Sequence, residues 1–162
     1  MSNQSAGLLL FRRRDGRLEV LLVHPGGPFY AHKDAGVWSV PKGEHDPAED
    51  PLAAAQREFT EETGFRATGP FFPLTPLKQK SGKLVQAFAC EGDADPQQLR
   101  SNTFSLEWPP HSGNLKEFPE VDQAAWFPLA KAMEKIHPGQ VGFLEELARL
   151  LGEAGGEREG DG

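Results

Sequence analysis

At 162 residues, with a formal net charge of -7 and the single cysteine Cys90, the chain has the length of one domain and can close no internal disulfide. Its acid excess, 24 Asp and Glu against 17 Lys and Arg, argues against a general nucleic-acid binder, which would carry a basic stripe. The apolar run at residues 7–11 is too short to span a membrane, and its arginines follow it where a signal peptide would have them in front, so a cytoplasmic location is expected.

Residues 6–12 and 18–24 read as two strands joined by the Asp15-Gly16 turn, with Arg12, Arg13 and Arg14 on a solvated hairpin edge. Residues 24–35, with Pro25-Gly26-Gly27-Pro28 followed by Phe29, Tyr30 and His32, read as a long loop and a lid or specificity candidate. A short strand over 37–41, with Trp38 as a core residue, leads into Lys42-Gly43. A helix then starts near Pro51: Asp50 is a good N-cap, proline suits the first helical position, and Ala53-Ala54-Ala55 propagate well. Gly64 sits where a left-handed residue would stop it, and Leu52, Ala55 and Phe59 form its apolar stripe.

Beyond the helix, residues 71–79 and 83–90 read as strands around Lys80-Ser81-Gly82, with Cys90 a buried thiol. Lys78, Lys80 and Lys83 make that turn cationic, fit either to hold distal phosphates or simply to solubilise it. Residues 93–97 read as a turn, 103–108 as a strand, 108–113 as a second long loop and 123–127 as a further strand. Leu144, Leu147, Ala148 and Leu151 recur at helical spacing, so the last helix packs on the sheet, and the Gly- and Glu-rich stretch 152–162 is expected to be a disordered tail.

The chemistry concentrates on the first helix. At roughly 100° per residue, Glu58, Glu61 and Glu62 share one face, where carboxylates repel one another unless cations join them. A merely solvated face would mix in Lys or Arg four residues away, and here Arg57 is the only nearby cation on the helix. It can hydrogen-bond one carboxylate and fix its rotamer, or make a surface pair worth little. An all-oxygen donor set without a His or Cys cluster suits a hard cation and disfavours zinc.

The whole pattern from Gly43 to Phe65, G-x5-E-x7-R-E-U-x-E-E-x-G-U with U apolar, resembles the signature of the Nudix hydrolases. Every polar and glycine position matches, and Phe59 and Phe65 are bulkier than the aliphatic residues usual at U. The resemblance implies a Nudix-type α/β/α sandwich with a central mixed β-sheet, formed by one domain over residues 1–151. It also implies hydrolysis of a phosphoanhydride in a nucleoside diphosphate-linked substrate with Mg²⁺ or Mn²⁺. Carried over position by position, Glu58 and Glu62 are metal ligands, Glu61 a further ligand or water-orienting group, and the Gly43 carbonyl an oxygen donor. Arg57 joins the catalytic set, and members of the family add a carboxylate from a later loop, for which Glu120 is favoured over Glu117.

The lead-in Trp38-Ser39-Val40-Pro41-Lys42-Gly43 resembles that of Nudix enzymes acting on diadenosine polyphosphates, diphosphoinositol polyphosphates and capped RNA; Lys42, next to the signature, is expected to meet substrate phosphate at the cleft mouth, and Lys78, Lys80 and Lys83 are the further substrate-binding candidates. A dinucleoside polyphosphate is the first choice of substrate, ahead of nucleoside triphosphates, ADP-ribose and RNA 5′ ends. From a different class, a non-catalytic nucleotide-binding module could have lost the glutamates that are all present here. Oligomeric state is not legible in the sequence.

Overall fold

Residues 8–11, Leu-Leu-Leu-Phe, leave no polar position on either side of the first strand, a pattern that fits a strand covered on both faces. The computed structural model, which describes residues 4–152, has that arrangement; apart from Gly152, the expected tail lies outside the described residues. In chain order the elements are β1 (Gln4–Arg14), β2 (Arg17–Pro25), β3 (Lys42–Glu44), α1 (Pro51–Thr63), β4 (Phe71–Pro73), β5 (Leu77–Lys78) and β6 (Leu84–Glu91). There follow β7 (Thr103–Glu107), β8 (Leu115–Pro119), β9 (Val121–Pro128), α2 (Leu129–Lys135) and α3 (Val141–Leu150), with short 3-10 turns at Pro96–Gln98 and Pro138–Gln140.

Seven strands form one sheet in the order β4-β6-β1-β2-β9, with β3 also on β1 and β5 also on β6. β1 runs parallel to β6, and the other pairings are antiparallel, so the sheet is mixed. On one face Leu8, Leu10, Leu21 and Val23 pack with Ala54, Ala55 and Phe59 of α1. On the other, Leu9, Val20 and Leu22 pack with Phe143, Leu144 and Leu147 of α3 and Ala132 of α2. The alternation of β1 and β2 is thus apolar to both sides, giving the α/β/α sandwich expected from the sequence. Among the described residues no helix is long and apolar enough to cross a membrane.

The geometry that makes room for a site lies along β1. Its first residues pair with β3 (Ser5↔Glu44 to Gly7↔Lys42), whereas its far end pairs with β2 (Phe11↔Val20 to Arg14↔Arg17). The segment leading into β3 is wedged between the two: Leu8 N donates to Pro41 O at 3.2 Å, and Val23 and Ser39 exchange backbone hydrogen bonds of 2.9 Å.

Four local expectations are corrected. Residues 37–41 are not a strand; only single bridges form, Val23↔Ser39 and Trp38↔Ile136, because Pro41 has no N–H and the Val40 N–H is taken by the Gln140 side chain at 3.0 Å. The expected strand over 71–79 breaks into β4 and β5 at the stretch holding Thr75 and Pro76, where Thr75 N donates instead to Glu146 of α3 at 2.7 Å. The region before β9 is no loop: β8 pairs with β7 (Thr103↔Pro119 to Glu107↔Leu115) as a two-stranded arm beside the main sheet. Arg12 is not a solvated edge residue, since its guanidinium lies 4.1 Å from the Trp126 ring centroid and pairs with Glu19 at 2.8 Å and Asp93 at 2.7 Å.

Candidate active site

The helix that carries the carboxylates is fixed at both ends by its own sequence. Asp50 Oδ2 accepts from Ala53 N at 3.0 Å, Pro51 opens the first turn, and Gly64 closes the last with φ 78°, its N–H donating to Thr60 O at 2.8 Å. Phe59, fully buried, locks the rotation of α1 against the sheet. Glu58 and Glu62 then stand on the flank that looks toward β3.

There the two carboxylates meet the same backbone. A Cβ built on Gly43 would fall inside the Glu58 carboxylate, so this side chain occupies the space that only glycine leaves open. Glu62 Oε1 accepts from Lys42 N at 3.2 Å. Arg57 holds the outer side: it donates to both oxygens of Glu49 at 3.1 and 3.0 Å, to Glu58 Oε2 at 2.7 Å and more weakly to Glu61 Oε1 at 3.5 Å. These bonds, Glu49 foremost, raise the Arg57 pKa and keep the guanidinium charged. The Glu58 side chain is 13% exposed and Glu61 43%, so one belongs to the interior of the cluster and the other to its rim.

Electrostatics separate the two inner carboxylates. Burial pushes Glu62 up to about 8, with the charges of Glu58 and Glu120 adding to it and the Lys42 N–H opposing it. Glu58 is also raised by burial, but its bond from Arg57 works against the shift. Lys42 is lowered by burial, with the attraction of Glu62 opposing. The structure thus holds an acid and a base half out of water side by side, a strained arrangement of charge that is common where chemistry is done.

A cleft of about 200 Å³ opens on this group, lined by Val23, Pro25, Ser39, Lys42, Glu62 and Glu120. Glu120 sits in the one-residue break between β8 and β9, its N–H donating to Asn102 O and its carbonyl accepting from Gly26 N, both at 2.9 Å. Glu117 lies on the β8 arm near Thr103 Oγ1, at 3.5 Å, and does not line this cleft. Of the remaining sequence candidates, Lys83 donates to Glu44 Oε2 at 2.5 Å, and Lys78 and Lys80 line a different cleft with His137.

Among the described residues no three His, Cys, Asp or Glu side chains converge as a ready-made metal cluster, and Arg57 holds the carboxylates of Glu49, Glu58 and, more weakly, Glu61. The donors that do face inward nevertheless suit a hard divalent cation: two half-buried carboxylates and the Gly43 backbone, all oxygen, with the Glu58 carboxylate cradled where a Cβ would otherwise stand.

Sequence reasoning assigned no task to Glu49, although its fixed spacing from Gly43 and Arg57 was the available signal. It assigned none to Ser39 or Gln140 either. Gln140, 2% exposed, accepts from Val40 N at 3.0 Å and donates to Ser39 Oγ at 3.0 Å, bracing the cleft wall from a hundred residues away, and no local pattern announces it.

The chain is similar to known proteins along most of its length. A family model described as the NUDIX domain matches residues 1–147. An RNA pyrophosphohydrolase of Brucella anthropi is 31% identical over 126 residues, 68% of this chain and 67% of that protein. An Ap4A hydrolase of C. elegans, solved as a binary complex, superposes with TM-score 0.60 at 23% identity over 91% of this chain and 98% of its own. The NUDIX domain of Shewanella oneidensis NrtR, solved with ADP ribose, gives TM-score 0.60 at 18% identity over 93% and 88%. At these identities the two structures speak for the fold alone.

Proposed function

Since the chain belongs to the Nudix family and is a hydrolase of phosphoanhydride bonds, we propose that residues 1–151 act as one metal-dependent unit whose substrate is a dinucleoside polyphosphate. The observation that carries this reading is the pairing of half-buried Glu58 and Glu62 against the Lys42-Gly43 backbone, with Lys42, Glu62 and Glu120 lining one cleft.

Glu58 and Glu62, with the Gly43 carbonyl and Glu61 at the rim, would hold Mg²⁺ or Mn²⁺. Such an ion, when bound, neutralises charge on the reacting phosphoryl group and lowers the pKa of water. Arg57 orients the Glu58 carboxylate and cannot give up its proton at working pH. Lys42 offers its ammonium to a phosphate oxygen. Glu120, exposed on the cleft wall and anchored through its backbone, accepts the proton of the water that attacks phosphorus, while the bridging oxygen leaves with the departing phosphate. No covalent intermediate on the protein is needed.

The Trp38 to Gly43 lead-in supports a long polyphosphate chain. A second reading, an RNA 5′ end, is favoured by the name of the Brucella anthropi relative. Ion-exchange analysis of products after incubation with Mg²⁺ and dinucleoside tetra-, penta- and hexaphosphates, ADP-ribose, nucleoside triphosphates and 5′-triphosphorylated RNA decides between them. Preferred cleavage of the dinucleotides, abolished in Glu62→Gln, supports the first reading, and preference for RNA reverses it.

A further inference from the structure

The turn from β5 to β6 and the turn Pro138–Gln140 enclose a cleft of about 470 Å³ that the active site does not use. Pro138–Gln140 leads into α3, and β5 packs under it, since a Cβ on Gly142 would meet the Leu77 side chain at 3.2 Å. The cleft therefore belongs to the α3 side of the sheet, whereas Glu58 and Glu62 belong to the α1 side.

Its chemistry is one-sided. Lys78, Lys80, Ser81 and His137 line it, and no Asp or Glu does. Lys83, Lys131 and Lys135 are each ion-paired, to Glu44, Glu134 and Asp34, whereas among the described residues Lys78 and Lys80 make no ion pair. The other donors are pre-oriented. His137 Nδ1 accepts from Gly139 N at 2.9 Å, which leaves the proton-bearing Nε2 to donate outward. Ser81 Oγ accepts from Lys83 N at 3.4 Å, leaving its own hydrogen free. The turn is itself braced, Gln79 N donating to Lys83 O and Gly82 N to Gln79 O, both at 2.8 Å.

Two ammonium groups and two neutral donors, with no acid among the lining residues, match a ligand group that only accepts and carries about two negative charges, as a phosphate does. We propose that this cleft is a second phosphate-binding site, distinct from the catalytic carboxylates, that takes the phosphates of a small polyphosphate. Those phosphates belong either to the far arm of a substrate or to a separate molecule. The site depends on binding alone and not on the hydrolytic reading.

Inorganic triphosphate titrated into the full, metal-free protein at low ionic strength, followed by ¹H–¹⁵N spectra, tests it. The expected result is saturable one-site perturbation of Ser81, Gly82 and Gly139. Affinity should drop at least about tenfold in the Lys78→Ala/Lys80→Ala double variant and in His137→Gln, with melting temperature held and with Lys131→Ala binding as wild type. Perturbation centred on Lys42 and Gly43 alone, or a double variant within twofold of wild type, overturns it. Competition against a dinucleoside tetraphosphate in chelator then identifies the source: mutual displacement assigns the phosphates to the substrate, and simultaneous binding assigns them to a separate molecule. Neither arm needs turnover, so an inactive enzyme leaves the proposal fully testable.

Discussion

The acid-lined cleft under α1 and the base-lined cleft at the β5–β6 turn lie at the same end of the sheet, joined by the Lys83–Glu44 pair, and hold charge by opposite means. Glu58 and Glu62 are half-buried, pressed on the Lys42-Gly43 backbone and braced by Arg57 and Glu49. Lys78, Lys80 and His137 are exposed, and no carboxylate pairs with the two lysines. Burial makes the first group costly and chemically distinctive; exposure leaves the second inexpensive and able to follow a ligand.

The comparison is broken most forcefully at the carboxylates. Glu58→Gln and Glu62→Gln should each lower kcat/KM on the preferred substrate by on the order of 10³-fold in steady-state assays, and near-wild-type turnover of either would remove the catalytic reading of this cleft. The bracing shell comes next. Gly43→Ala, which drives a methyl into the Glu58 carboxylate, and Arg57→Ala, which frees it, should each cost about 10–100-fold, with weaker Mn²⁺ affinity measured by titration.

A third prediction concerns stability and pH. Glu62 is raised in the folded protein to about 8, so the folded state keeps a proton that the unfolded chain has lost. The contribution is fully present below the ordinary Glu value, near ~4.3, and drains away as pH climbs through about 8. In chelator, Glu62→Gln should therefore melt a few degrees above wild type at pH ~9 and lose that advantage near pH ~4, by scanning calorimetry. Added Mg²⁺ should narrow the gap at high pH, because a bound cation stabilises the carboxylate. The smallest effect belongs to the seam between the two regions: Lys83→Ala should change unfolding free energy by less than about 1 kcal/mol in urea titration, as expected for a pair open to solvent.

Much of this was legible where local chemistry is decisive. Asp50, Pro51 and Gly64 set the ends of α1, and the spacing of Glu58 and Glu62 put them on one flank, because caps and helical periodicity act over a few residues. What escaped depends on partners far away in the chain. Gln140 takes the Val40 N–H and so prevents a strand that residues 37–41 would otherwise form. Glu117 reads as a residue of a later loop until β7 supplies the strand that pairs with it, Ser105↔Glu117. Arg12 looked like an edge cation because Trp126, over which it lies, enters only with the last strand. The three lysines 78, 80 and 83 looked alike in sequence, and only the folded chain separates the one that pairs with Glu44 from the two that face His137.

The parallel pairing of β1 with β6, from Gln4↔Leu84 to Phe11↔Glu91, sets an order on the making of this protein. β1 is made some eighty residues ahead of this partner, and until β6 follows, the edge of the Leu-Leu-Leu-Phe run that β6 covers stays unpaired. Closure over that distance favours slow folding and a window in which a nascent chain can associate with its neighbours. Pulse-labelled amide exchange during refolding should accordingly find Leu9 and Phe11, whose N–H groups face β6, protected together with Phe88 and Cys90, and not together with the nearer hairpin partner β2.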